Sequence, residues 1–300
     1  GRIRRMAYRL TTIKASDGRA LGVAQWGDPD GTAVFGLHGT PGSRFGRPPD
    51  EAGLERAGLR LVTYDRPGYG VSDRRPGRRV VDCVEDVAAI ADALGIDRFA
   101  VTGGSGGGPH ALAVAARLGS RLTRVECRVG AAPFDAEDLD WWAGMDPENV
   151  QELHWAIEGE QILHENLARQ AEEGLARIAQ DPSKILSDDW QLADADREKL
   201  ARPDLQKVFV EDMRSAYAAG VWGWVDDDLA FVTGWGFSID EIEVPVTVRY
   251  GAHDVLVPAA HGAWLASHVP GATVVVHTEG GHLSDPDTRI EELRALVTPG

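Results

Sequence analysis

Short apolar runs alternate with stretches of helical spacing over the first 130 residues. Leu21 to Trp26 reads as a strand, closed by Gly27-Asp28-Pro29-Asp30-Gly31, a turn by composition. Ala33 to Leu37 and Leu59 to Tyr64 read as further apolar strands. Val81, Val84, Val87, Ala88, Ala91 and Leu94 place one apolar stripe on a helix from Val80, stopped by Gly95. Phe99 to Thr102 then predicts a strand, His110 to Leu118 a helix and Leu122 to Val129 a strand. After residue 240 the alternation resumes, with strands at Val244–Tyr250 and Thr273–His277 and helices at Ala259–His268 and Thr288–Val297. Strands alternating with helices predict an α/β fold: a parallel sheet covered on both faces.

The stretch between these halves has another texture. Asp146-Pro147 and Asp181-Pro182 have the form of helix starts, Asp as cap and Pro at the first helical position. Val150, Leu153 and Ile157, then Leu163, Leu167 and Ile178, keep helical spacing, and Leu205, Val208, Met213 and Tyr217 predict a helix after Pro203. Between Phe134 and Asp240 there are 25 acidic residues against 8 Lys and Arg, a balance of −17 in a chain of net charge −16, so the rest of the chain is near +1. Seven of the nine tryptophans do too. So sharp a shift marks a separate unit: a helical lid over residues 134–240, inserted into a core of residues 1–133 and 241–300. Its tryptophans either line an apolar pocket or pack the unit's own core, and Trp141, Trp142 and Trp235 are the candidates for a substrate-binding wall.

Bulk composition narrows the class. With 26% charged and 43% hydrophobic residues, the 300-residue chain has the make-up of an ordinary globular protein with a sizeable core. The acidic balance argues against nucleic-acid binding, which needs a basic footprint. No apolar run approaches a membrane span, and no apolar stretch follows the basic start Gly1-Arg2-Ile3-Arg4-Arg5-Met6 as a secretory signal would require. Cys83 and Cys127 fall in predicted buried elements and lack metal-site spacing. A cytoplasmic setting without a metal is the expectation, and monomer and homodimer both stay open.

The candidate chemistry centres on Ser105. Gly103-x-Ser105-x-Gly107 joins the Phe99–Thr102 strand to the following helix, so the serine occupies a sharp strand-to-helix turn that needs small neighbours. Gly106-x-Gly108-x-x-Ala111, with Glu126 about twenty residues on, also fits a dinucleotide fingerprint. Glu126, however, lies inside an apolar run, Pro109 interrupts the motif, and about a hundred residues precede it. A serine hydroxyl needs a base oriented by a carboxylate. His282, in the loop Glu279-Gly280-Gly281-His282 after the last strand, is the candidate base. His277 is expected to pack within its strand, His110 lies just inside the elbow helix, and His253 faces solvent. Asp254, beyond the penultimate strand, is the candidate acid, with helix capping as its structural alternative. Asp135 belongs to a solvated acidic run. Gly106 N–H and, from the loop His38-Gly39-Thr40-Pro41-Gly42, Thr40 N–H are the candidate oxyanion donors, since Pro41 has none. Tyr64 to Ser72 reads as a structural loop, with Tyr69 a possible pocket wall.

Taken together, His38-Gly39-x-Pro41-Gly42, Asp65-Arg66-Pro67-Gly68-x-Gly70, Gly103-x-Ser105-x-Gly107, Gly251-x-x-Asp254 and Gly281-His282 resemble the α/β-hydrolase superfamily over residues 20–130 and 240–300. The resemblance implies an eight-stranded, mostly parallel sheet, no cofactor, and a serine-nucleophile hydrolase acting on a small ester-like substrate (carboxylic ester, thioester or lactone). The proline loop is also similar to that of proline iminopeptidases, which carry Gly-Gly-Ser-Trp-Gly at the elbow where this chain has Gly106 in place of the Trp. An aminopeptidase whose lid carboxylates bind a substrate ammonium, and a non-hydrolytic lyase or cyclase on the same fold, are the alternatives.

Overall fold

The computed structural model describes residues 8–184 and 190–298. Strands β1 (Tyr8–Lys14), β2 (Ala20–Gly27), β3 (Thr32–Leu37), β4 (Leu59–Tyr64), β5 (Phe99–Gly104), β6 (Leu122–Arg128), β7 (Val246–Gly251) and β8 (Thr273–His277) form an eight-stranded sheet. Its order is β1-β2-β4-β3-β5-β6-β7-β8. β2 runs antiparallel to β1 and β4, and every later pairing is parallel. Helices α1 (Glu51–Arg56), α2 (Cys83–Ala93) and α3 (Gly107–Arg117) lie among the strands. Between β6 and β7 run α4 (Pro147–Glu158), α5 (Glu160–Gln180), α6 (Asp194–Leu200), α7 (Pro203–Ala216) and α8 (Trp222–Phe231). α9 (Ala259–His268) and α10 (Arg289–Val297) follow.

Strand alternation sorts the apolar side chains into two layers. Val34, Leu59, Leu61 and Ala100 face Leu54 of α1 and Leu293 and Leu296 of α10. Their neighbours Phe35, Val62 and Val101 face Val87 and Ile90 of α2, Leu112 of α3 and Leu265 of α9. Each fully buried side chain of this size contributes about 1.5–3 kcal/mol. The same layer takes in Ala230, Trp235 and Ile239, so the stretch after α8 is anchored in the main core. The helices α4, α5 and α8 build a smaller cluster around Leu163, Leu167, Val225 and Trp224, which also holds Tyr69.

Two elements are absent from the sequence pattern. β1 is an edge strand with Ile13 as its buried side chain among the described ones, so no apolar alternation marks it. α1 has six residues and buries only Gly53 and Leu54. Two local expectations are corrected. Asp181 closes α5 and its carboxylate accepts from Ser183 N and Oγ, so Asp181-Pro182 starts no helix there; residues 185–189 lie outside the described residues. His277 is exposed, because β8 is the other edge of the sheet.

Candidate active site

Ser105 turns the chain from β5 into α3 with φ 53°, a left-handed conformation that costs a non-glycine residue about 1–3 kcal/mol. Its N–H donates to Arg128 O at 2.9 Å, and its carbonyl accepts from Gly108 N at 2.8 Å, which holds the turn. The flanking glycines are steric requirements: a Cβ on Gly103 would collide with the Gly107 carbonyl, and one on Gly107 with the Leu37 carbonyl. The serine therefore sits over the N-terminus of an eleven-residue helix, where developing negative charge is favoured.

His282 and Asp254 come together from two loops at the same sheet edge. His282 Nδ1 is 2.8 Å from Asp254 Oδ2, and both residues are buried. Asp254 Oδ1 accepts from Leu256 N at 2.9 Å and Val257 N at 3.0 Å. The helix after it, α9, is capped by Pro258, so Asp254 is not that helix's cap. A carboxylate at Nδ1 fixes the imidazole tautomer and leaves Nε2 as the basic nitrogen. Ser105 and His282 line one cavity of about 850 Å³.

Thr40 lines the same cavity and packs on Gly106 so closely that a Cβ at Gly106 would lie 3.0 Å from Thr40 N and collide with the Thr40 side chain. Among the described residues, neither the Thr40 nor the Gly106 N–H has an acceptor. Two free amides thus lie beside Ser105. The residue after the serine is glycine because Thr40 occupies the space a side chain would take.

The Thr40 loop is held by Asp227 of α8. Asp227 Oδ2 accepts from Thr40 Oγ1 at 2.6 Å and Tyr69 OH at 2.9 Å, while Arg66 and Arg78 pair with the same carboxylate. Burial opposes the Asp227 charge, but Arg66 and Arg78 outweigh it and hold its pKa well below the usual carboxylate range. Burial, aided by the Arg66 charge, pushes His110 down to about 3 and keeps His38 neutral as well. Two more loop anchors are Asp196 of α6, which accepts from His282 N and Leu283 N at 2.7 and 2.9 Å, and Asp212 of α7, which accepts from Ser43 N and Oγ at 2.8 and 2.7 Å. Sequence reasoning missed all three, since Asp226-Asp227-Asp228 has the look of a solvated charge run. Asp226, Asp227 and Asp228 are 1%, 0% and 2% exposed, and Asp196 and Asp212 are 1% and 7%.

The tryptophans on the cavity wall are Trp155, Trp190 and Trp224. Trp141, Trp142 and Trp235 pack elsewhere. Trp141 donates to Ala132 O at 3.0 Å and sits with Trp142, Phe134 and Met145 in a cluster of its own, and Trp235 lies in the main core. Acidic side chains also reach the wall. Burial raises Asp212 and Glu152 to about 7, and Glu152 is close enough to Asp228 for the two to share a proton. Glu126, the dinucleotide candidate, is buried against Arg289 and Arg249 in the sheet. No three His, Cys, Asp or Glu side chains among the described residues are placed to hold a metal ion. No helix among them is long and apolar enough to cross a membrane.

The alpha/beta hydrolase fold family model matches residues 32–284, and the chain belongs to that family. A pimeloyl-[acyl-carrier protein] methyl ester esterase of Nitrosomonas europaea is 25% identical over 253 residues, 79% of this chain and 85% of the relative. A proline iminopeptidase of Arabidopsis thaliana is 24% identical over 302 residues, 92% of this chain and 75% of the relative. Among solved structures, a hydrolase from Pseudomonas aeruginosa PA01 aligns with TM-score 0.68 and 21% identity over 96% of this chain and 97% of the other, a likeness of fold.

Proposed function

We propose that the chain is a serine hydrolase that cleaves a small ester-like substrate through an acyl-enzyme, with Ser105, His282 and Asp254 as its triad. The observation that carries this reading is the His282–Asp254 contact of 2.8 Å on loops whose histidine shares a cavity with Ser105. His282 Nε2 takes the hydroxyl proton as Ser105 Oγ attacks the carbonyl. The Thr40 and Gly106 amides hold the oxyanion, each such donor being worth about 10²–10³ in kcat. Asp254 steadies the imidazolium, which then protonates the leaving group. Water deprotonated by His282 attacks the acyl-enzyme, and the acid departs. Residues 134–240 act as a lid, since α4, α5, α7 and α8 contribute Trp155, Glu173, Met213 and Trp224 to the wall. Hydrolysis of a short acyl p-nitrophenyl ester tests the reading. Turnover lost by about 10³-fold or more in both Ser105→Ala and His282→Ala is expected, and turnover surviving in either rules that residue out of its role.

A second reading has its own support. Glu152 and Asp212 place buried carboxylates on the wall, where they would receive the ammonium of a peptide or amide substrate. Prolyl-naphthylamide assayed beside the acyl ester separates the two: cleavage of the amide alone selects the aminopeptidase.

A further inference from the structure

The cavity wall includes an arginine that no carboxylate among the described residues neutralises. Arg128 ends β6, and its guanidinium lies so close to Gly104 that a Cβ there would collide with it. Gly104 immediately precedes Ser105, one Cα–Cα step of about 3.8 Å away. Arg128 and Ser105 line the same cavity. The guanidinium makes one long hydrogen bond, Nη1 to the His282 carbonyl at 3.3 Å, and its buried Nε has none. The acids whose fields reach it, Glu126 and Glu292, are taken by two other arginines. Glu126 meets Arg289 at 2.7 Å and Arg249 at 3.0 Å, and Glu292 meets the same pair at 2.8 and 3.5 Å. Three guanidinium groups against two carboxylates leave one positive charge beside the nucleophile. Burial and the Arg289 charge lower Arg128 to about 10, so it stays cationic at neutral pH. A desolvated cation is costly until an anion meets it, and a planar guanidinium matches a carboxylate with two parallel bonds.

Among the described wall residues, Arg177 of α5 is also outside any ion pair. It lies on the helical segment, whereas Arg128 is fixed in the sheet next to Gly104. We propose that Arg128 binds a carboxylate carried by the substrate, so that the preferred substrates are short esters bearing a free carboxylate on the acyl or the alcohol part rather than neutral esters. The assignment deepens the serine-hydrolase reading and rests on it.

The test compares kcat/KM for mono-p-nitrophenyl glutarate with that for its neutral counterpart p-nitrophenyl valerate, with O-acetylglycolate against ethyl acetate as the pair carrying the carboxylate on the alcohol. A preference of about tenfold to a hundredfold for the anionic member of at least one pair is expected, as for a charge-assisted bond in a desolvated site. Arg128→Gln should bring that ratio to near one, chiefly through KM, and Arg128→Lys should restore part of it. Calorimetric titration with glutarate and with glutaramide needs no turnover: glutarate alone should bind, and Arg128→Gln should abolish it. The proposal is overturned by a wild-type ratio of one or less in both pairs. It is overturned equally if the ratio survives Arg128→Gln but not Arg177→Gln, or if both Arg128 variants lose the two members of a pair in parallel, the mark of a structural role. Glutarate binding that depends on Arg128 in a protein turning over neither ester would leave the subsite standing and remove the Ser105 nucleophile instead.

Discussion

The sheet and the helical segment contribute to the site in opposite ways. The sheet supplies loops at its strand ends, and on them Ser105, Asp254, His282 and the Thr40 turn, with apolar layers fixing the strands beneath. The helices between β6 and β7 supply carboxylates that hold those same loops: Asp227 on Thr40, Asp196 on the His282 backbone, Asp212 on Ser43. An acidic excess in a helical insertion has the look of a solvated face. Here its buried members are the pins between the two regions. The lesson concerns burial: a carboxylate that accepts two or more bonds from a loop at the site both stabilises that loop and ties its geometry to the inserted helices.

Four experiments would break or sharpen this contrast. Asp227→Ala leaves Arg66 and Arg78 as buried charges without their partner, so a loss of about 3–5 kcal/mol is expected in urea denaturation. A loss below about 1 kcal/mol would mean that the pins are not coupled to the core. Asp196→Ala frees the backbone of His282, and a fall of about 10²-fold in kcat on a p-nitrophenyl ester is expected from the displaced imidazole. An unchanged kcat would show that Asp254 alone positions the ring.

The third experiment uses pH. Burial raises Asp212 and Glu152 to about 7, so the folded chain holds protons that the unfolded chain has released. The contribution of these two carboxyls to stability should therefore fall as pH rises from about 4 to about 7, against the rise that the buried neutral His110 and His38 contribute over the same range. Asp212→Asn removes one ionisable group and should flatten that fall, read as the urea midpoint at several pH values. An identical slope in the variant would contradict a raised Asp212. The smallest effect belongs to the exposed pair Arg202–Asp204, where Asp204→Asn should change the urea midpoint by less than about 1 kcal/mol equivalent. A larger change would erase the distinction between buried pins and solvated charges.

The sequence pattern made the sheet interior legible because those strands bury alternating or continuous apolar residues. β4, β8 and α9 coincide with their expected bounds. The edge strand β1 and the short α1 were illegible because neither buries enough apolar surface to leave a period. Ser105, Asp254 and His282 could be singled out because each stands at a strand end, a position that local pattern marks. The wall was different. Trp155, Trp190 and Trp224 reach it while Trp141, Trp142 and Trp235 do not, and the choice depends on how helices pack across 80 residues of chain rather than on any local spacing. Asp227 escaped for the same reason: its partners Thr40, Arg66, Tyr69 and Arg78 lie about 150 to 190 positions earlier.

Fluorophosphonate labelling read by intact mass tests the Ser105 nucleophile most directly. One adduct on the wild-type chain, absent from Ser105→Ala and slowed in His282→Ala, is the expected result. No adduct on the wild type, or one that persists in Ser105→Ala, would contradict it.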